Sequence, residues 1–412
     1  MKGALAEVKS IESARTRRAN DRLQKYKHPV FKIPVHAGEL WTARQRQMHP
    51  LHYAVSYRAS FKPELPDFFM GRYLRGPGAV VLDPFGGRGT TILQANMLGH
   101  RGIHNDINPV SLFLASARGS IPPLAELIER TRSLDLRRRK FRLSKRDKEK
   151  LLPFFHPDTL QEILNLRALL LAPENSDDHA LRYIGLTALS RLYGHSDGFF
   201  SVYTFPQISI MPEAQKRNNR NRNQEPEYKN IQDRIIRKMK RDLAQPLPEG
   251  FAQAAPSNQY VNHDARDIAS VRGGTVDLIV TSPPFLNKVN YLEDNWMRAW
   301  FLGLDTEADV TMTADPREWS LFMRDCIREF GRLLKKGGRA VIEVGEVVSG
   351  GSVKNLEELM LEHLPMKVRG GALRGEELFL NQQNFTKLAN CWDVKNNKLG
   401  TNTNRCLVII KE

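Results

Sequence analysis

Ala79-Val80-Val81-Leu82-Asp83-Pro84-Phe85-Gly86-Gly87-Arg88-Gly89-Thr90-Thr91 is the stretch that decides the fold. Its apolar run ends in an acid, as a buried parallel strand does. Gly86, Gly87 and Gly89 let the backbone turn sharply and approach a ligand where a Cβ would clash. Thr90 to Leu98 reads as a helix with Gly99 as its C-cap. A second strand fits Gly102 to Asp106, stopped by Asn108-Pro109. Strand, glycine loop, helix, strand and acid make a nucleotide-binding βαβ half. The loop has no Lys in the Walker position, which disfavours a P-loop. Asp83 would repel a pyrophosphate and suits a cationic ligand. Asp106 stands where a carboxylate accepts hydrogen bonds from ribose hydroxyls.

Outward from this half, Pro122-Pro123 marks a boundary, and 124–245 reads as mainly helical with irregular loops. Helical periodicity covers Glu162 to Leu171 and Ala180 to Tyr193, and Gly194 to Pro206 is a Gly- and aromatic-rich loop. Parallel-sheet grammar returns at 260, with strands at Tyr260 to His263 and Val276 to Thr281. The second of these runs straight into Ser282-Pro283-Pro284-Phe285. Helices are predicted at Tyr291 to Phe301, Trp319 to Leu334 and Val353 to Leu364, and strands at Arg339 to Val344 and Cys406 to Lys411. The Asn-rich stretches near 218–223 and 381–404 read as loops. The expected fold is α/β and Rossmann-like, with a mostly parallel sheet split by a largely helical insert. Its parts are a basic N-terminal arm (1–60), a ligand-binding half (61–119), the helical basic insert (120–259) and a second half (260–412).

Composition sets the partner class. The 412 residues carry 62 Lys and Arg against 46 Asp and Glu, a formal charge of +16, and the 41% of apolar residues suffices for a core. Such an excess points to a polyanion. No run of 18 apolar residues exists, so no membrane span is expected. The N-terminus lacks the apolar core of a signal peptide. The three cysteines form no CxxC, and neither a metal site nor a disulfide framework is expected. These features read as a cytoplasmic protein. The charge concentrates in 1–60 (12 basic, 4 acidic) and 120–260 (24 basic, 17 acidic). The densest runs are Arg137-Arg138-Arg139-Lys140 and Lys216-Arg217, continuing through Arg220 and Arg222. A single run is as well explained by a solvated surface; two runs and a basic arm favour contact with a phosphate backbone.

At these motifs the sequence resembles the amino-group DNA methyltransferases. DPFGGRGTT is similar to their S-adenosylmethionine (AdoMet) motif and TSPPF at 281–285 to their catalytic motif. Val261 to Arg266 resembles the segment whose acid contacts the adenine amino group, and Phe61 to Pro66 the motif around the methionine end. Arg332 to Gly338 resembles a later structural motif. The resemblance covers about 61–115 and 260–412. It implies AdoMet as cofactor, with Phe61, Asp83, Pro84, Phe85, Gly86, Gly87, Gly89, Thr90, Thr91, Asp106, Ile107, Asp264 and Ala265 around it. Two departures stand out. Arg88 replaces the usual small residue and is a candidate DNA contact, and the cofactor motif precedes the catalytic one, a permuted order.

The catalytic expectation rests on Ser282, Pro283, Pro284 and Phe285. An exocyclic amine is a poor nucleophile because its lone pair is delocalised into the ring. The Ser282 hydroxyl and Pro283 carbonyl are placed to accept from it, the prolines stiffen the loop, and Phe285 offers a face for an extruded base. Ser in the first position is the form associated with cytosine N4, and Asp or Asn the commoner form for adenine N6. None of the three cysteines follows a proline, which disfavours C5 chemistry. Cytosine N4 in duplex DNA is the primary reading, with an N6-adenine or RNA methyltransferase as the alternative. A DNA-binding protein with a degenerate core is the rival from another class. Lys288 is a further candidate phosphate contact. Trp296 and Trp300 read as core, and His195 and Asp197 as loop hydrogen-bonding groups. Family analogy suggests a companion restriction endonuclease; the oligomeric state and recognition sequence are left open.

Overall fold

The computed structural model describes residues 23–41, 46–58, 60–205, 210–284, 294–304, 313, 315–349, 352–382 and 403–412. The chain begins with a hairpin of β1 (Gln24–Lys27) and β2 (Pro34–Gly38), then α1 (Glu64–Tyr73). The βαβ half follows as β3 (Val80–Asp83), α2 (Thr90–Met97), β4 (Arg101–Asn105) and α3 (Pro109–Ser116). The insert supplies α4 (Leu124–Ser133), α5 (Lys145–Leu151), α6 (Pro157–Leu171) and α7 (His179–Leu189). It continues with α8 (Pro212–Arg222), α9 (Ile231–Asp242) and α10 (Glu249–Ala254). The second half holds β5 (Gln259–Val261), β6 (Val276–Thr281), α11 (Trp296–Phe301), α12 (Pro316–Leu333) and β7 (Leu334–Val344). It ends with the hairpin β8 (Glu346–Ser349) and β9 (Ser352–Asn355), then α13 (Leu356–Leu361), β10 (Met366–Val368), β11 (Gly371–Gln382) and β12 (Thr403–Lys411).

The main sheet runs β1-β2-β11-β12-β7-β6-β3-β4-β5, with β10 on β11. The five strands from β7 to β5 are mutually parallel, whereas β12 is antiparallel to both β7 and β11. This is the Rossmann-like, mostly parallel α/β fold expected from the glycine-loop segment. Strand alternation sends Leu82, Ile279 and Ile342 to one face, under Met323, Ile327 and Phe330 of α12. Val81, Leu278, Val280 and Val341 go to the other, against Phe69 and Met70 of α1 and Ala95 of α2. Burial on both faces explains why β6 reads VDLIVT rather than alternating with polar residues. The carboxyl ends of β3, β4, β6 and β7 therefore share one edge, where ligands of open α/β sheets bind.

Three expectations change, and a fourth with them: the Asn-rich stretch near 218–223, read as a loop, belongs to α8 as far as Arg222. Residues 24–38 are not part of a separate arm: β2 pairs in parallel with β11, and Val35 and Ala37 enter the core. The insert is helical, as expected, and the basic arm and the insert share one core. Its core is continuous with Leu51, Ala54 and Val55 upstream, Leu93 and Leu114 of the first half, and Met297 and Phe301 of α11. The helix expected over 353–364 is strand β9 followed by the shorter α13. Asn381 ties the N-terminal segment down, its buried Oδ1 accepting from the backbone N–H of Leu40 (2.8 Å) and Trp41 (3.4 Å).

Replacing Asn381 with Ala leaves two buried donors unsatisfied, and should cost about 1–3 kcal/mol. Hydrogen exchange should show reduced protection concentrated at residues 34–41. Unchanged protection there would mean that this segment is held by other interactions.

Candidate active site

The glycine loop and the Ser-Pro-Pro segment leave adjacent parallel strands, β3 and β6, and a single carboxylate joins them. Asp83 is 1% exposed. Its Oδ1 accepts from Thr281 Oγ1 at 2.6 Å and from the Phe85 N–H at 3.2 Å, and its Oδ2 from Thr91 Oγ1 at 2.8 Å. Burial pushes this carboxyl up to about 6, against the hydroxyl and N–H donors that favour its anion. Asp83 and Thr91 thus stand behind the site rather than on its surface, and hold its two halves in register.

The loop is shaped from beneath by β4. Gly86 N–H donates to Asn105 O and Gly87 N–H to Asp106 Oδ2, each at 2.8 Å. Gly87 takes φ +52°, which favours glycine. Asp106 Oδ1 accepts from Asn108 N–H at 2.8 Å. Burial raises the Asp106 pKa, opposed by these two N–H donors. Gly89 begins α2 in a left-handed conformation.

A cavity of about 310 Å³ opens over this floor. Phe61, Pro84, Phe85, Gly86, Gly87 and Thr90 line one side, and Asp106, Ile107, Asp264 and Ala265 another. Ser282 and Pro284 extend this lining, so the structure brings together residues from four separated stretches, at 61, 84–107, 264–265 and 282–284. Flat apolar surface comes from Phe85 and Phe322, whose rings lie 6.0 Å apart. Two cations border the cavity, and both are matched. Arg266 grips Asp264 with bonds of 2.9 and 2.6 Å, which lowers the Asp264 pKa. Arg58 meets the buried Asp294 at 3.2 Å. A wall rich in carboxylate and apolar surface, its arginines already paired, suits a ligand with hydroxyls, an aromatic ring and positive charge better than a polyphosphate. Those properties fit AdoMet: Asp106 presents a carboxylate to the cavity, and Ile107, Phe85 and Phe322 present apolar surface.

Several residues here escaped the sequence reading. Tyr57, Arg58 and Ser60, assigned to the arm, form a wall of the cavity. Glu343, at the end of β7, lies close enough to Ser282 for that side chain to oppose the rise in its pKa, and it accepts from Asn404 Nδ2 at 2.6 Å. It is 7% exposed, and burial raises its pKa. An acid inside the apolar run Ala340-Val341-Ile342-Glu343-Val344 was the available signal, because buried carboxylates need a reason. Trp319 Nε1 donates to Pro284 O at 3.0 Å and fixes the end of the loop. Phe285 and Lys288 lie outside the described residues.

The candidate DNA contacts divide. Arg88 is turned inward, with Nε 3.1 Å from Thr90 Oγ1 and Nη2 3.4 Å from Phe61 O, and burial lowers its pKa. This corrects its reading as a phosphate contact: the guanidinium braces the glycine loop against the segment at Phe61. Arg137 is exposed yet bonded to buried Glu162 at 2.9 Å. Arg138, Arg139 and Lys140 beside it are exposed. On α8, Lys216 pairs with Glu213 at 2.6 Å, Arg217 and Arg220 are exposed, and Arg222 lies 3.9 Å from the centroid of Tyr203. Asp197 pairs with Arg234, and Trp296 and Trp300 pack against the insert core. Among the described residues no cluster of three His, Cys, Asp or Glu is arranged to hold a metal, and no helix is long and apolar enough to cross a membrane.

Comparison with known proteins gives local likenesses. Over 82 residues, 20% of this chain, it is 32% identical to type II methyltransferase M.MjaII of Methanocaldococcus jannaschii. Over 88 residues, 21% of the chain, it is 33% identical to type II methyltransferase M.BsoBI of Geobacillus stearothermophilus. The matches span 15% and 17% of those relatives' lengths. The structure of TrmN from Thermus thermophilus aligns at 14% identity and a TM-score of 0.34, over 88% of this chain and 52% of that one. No family model matches the chain.

The raised Asp83 pKa has a sign that can be tested. With a folded value of about 6 against an ordinary 3.8, the native state binds more protons between these limits. The contribution of this group to stability is therefore full below the lower limit and lost as pH rises through the upper one. Asp83→Asn should remove that decline from denaturation midpoints measured between about pH 4 and 7. A midpoint curve parallel to wild type would mean Asp83 titrates as an ordinary carboxylate.

Proposed function

We propose that this chain is an AdoMet-dependent DNA methyltransferase acting on an exocyclic amine, with cytosine N4 as the target. The observation that carries the proposal is that Ser282 and Pro284 open onto the same cavity as the glycine loop and Asp106. The short matches to two type II methyltransferases support the same reading.

AdoMet, when bound, supplies an electrophilic methyl group on a sulfonium. The chain's own residues would do the rest. Asp106 would accept from ribose hydroxyls, Asp264 would stand near the adenine amino group, and Phe61 would border the methionine end. Glu343, beside Ser282, would give that hydroxyl a direction. With its hydrogen on the carboxylate, Oγ would turn lone pairs toward an amine and draw off its N–H density, which restores nucleophilicity. Trp319 donates to the Pro284 carbonyl and so holds the loop after Ser282, which would keep the Ser282 hydroxyl preorganised. No covalent enzyme intermediate is needed.

DNA is the proposed polyanion. Arg138, Arg139 and Lys140, with Arg217, Arg220 and Arg222 of α8, are the proposed backbone contacts, and the insert the proposed target-recognition region. Side chains that meet phosphates affect affinity and its salt dependence, not base choice.

The deciding experiment incubates the protein with labelled AdoMet and unmethylated DNA or RNA, followed by nucleoside mass spectrometry. N4-methylcytosine in DNA is expected. N6-methyladenine or a methylated ribonucleoside would overturn the assigned target, and no methylated product would overturn the activity. Glu343→Gln should lower kcat by about a hundredfold while leaving S-adenosylhomocysteine affinity near wild type; equal loss of both would make Glu343 a purely structural group. Replacing Arg138, Arg139 and Lys140 with Ala should reduce the slope of log affinity against log salt by about 0.9 for each phosphate that is no longer neutralised. An unaltered slope would return this run to the solvated surface.

A further inference from the structure

The imidazole of His104 lies directly under the glycine loop. His104 is fully buried in β4, and a Cβ added to Gly86 would overlap its ring. Its Nε2 is 2.9 Å from Ser111 Oγ, and that hydroxyl donates to Gly87 O at 2.5 Å. Ser111 has one hydrogen to give, so the network assigns the imidazole proton to Nε2, which donates to Ser111 Oγ. Nδ1 makes no hydrogen bond. Burial depresses the imidazole pKa to about 3, so the ring is neutral at any working pH.

The two central loop residues are thereby held from every side. Their N–H groups go to Asn105 O and Asp106 Oδ2. The Gly87 carbonyl is held by Ser111, and the floor under Gly86 is the His104 ring. Ser111 also lies close enough to Asp106 to lower its pKa. One imidazole therefore bears on both the height of the loop and the surroundings of the carboxylate.

We infer that His104 is a positioning residue for the cofactor: it sets the seat of Gly86-Gly87 by filling the space beneath it and by orienting the Ser111 hydroxyl. The inference rests on the reading of the cavity as an AdoMet site. It explains why position 86 requires glycine, since the clash is with a specific side chain rather than with the ligand.

The test uses the full-length protein and titrates S-adenosylhomocysteine calorimetrically, with melting temperature measured in parallel. His104→Leu keeps apolar bulk and loses the donor, and should weaken binding about tenfold. Ser111→Ala should do the same, and the two together should cost little more than either alone. His104→Gln, which retains a donor, should recover most of the affinity. Gly86→Ala should bind far more weakly than wild type, and Gly86→Ala combined with His104→Ala should bind more tightly than Gly86→Ala alone.

A His104→Leu protein with a lowered melting temperature but wild-type affinity would reduce His104 to core filling and overturn the inference. Additive losses in the His104→Leu and Ser111→Ala pair would also overturn it. If His104→Leu fails to fold, as judged by circular dichroism, the Gly86 pair decides, and absence of recovery there counts against the proposal. A wild-type protein that does not bind S-adenosylhomocysteine would instead remove the cofactor reading itself.

Discussion

The buried Asp83 carboxylate is the constraint on which the site depends. A charge-bearing group taken out of water is costly unless its lone pairs are met, and here they are met by Thr281, Thr91 and the Phe85 N–H. These donors belong to the strand that leads into Ser282, to the helix after the glycine loop and to the loop itself. Satisfying one acid therefore fixes three elements at once. Parallel pairing of β3 with β6 brings the two strand ends side by side, and Asp83 sets how the loops beyond them face each other.

The rest of the polar network follows the same logic of short, internal partners. Asp106 is held by two backbone N–H groups, Glu343 by Asn404, and Asp264 by Arg266. Arg88 and Arg118 are both drawn inward, and Arg118 donates to the Arg88 carbonyl and to Leu114 O. Positive charge close to the glycine loop thus serves to brace it. The proposed polyanion contacts are exposed side chains of the insert, at Arg138 to Lys140 and along α8. The insert shares a core with α2, α3 and α11, so it packs directly on the half that holds the glycine loop.

What was legible in the sequence followed from local grammar. The apolar run, three glycines and helix at 79–99 define β3, the loop and α2, and the Val276–Thr281 run defines β6 and the segment after it. Elements whose identity depends on distant partners were not legible. β2 is five residues, PVHAG, with a proline and a glycine, and it becomes a strand because β11 offers an edge far along the chain. β11 itself, GALRGEELFLNQ, carries glycines and charges that hide its pattern, and a bulge at Gly375–Glu377 shifts its register. The stretch SVKNLEELML has a helical second half that masked the strand before it. Within the site, residues quoted in motifs gathered around one cavity, whereas Tyr57, Glu343 and His104 act from outside any motif. Arg88 misled for a related reason: its place in a loop suggested exposure, and only the fold supplies Phe61 O and Thr90 as partners.

The most direct test of the claim that one cavity serves both loops is a crystal structure with S-adenosylhomocysteine. The account predicts the ribose hydroxyls on Asp106, the adenine between Ile107 and Phe322, and the sulfur facing Ser282. A ligand seated elsewhere, or one whose sulfur points away from the Ser-Pro-Pro segment, would contradict it.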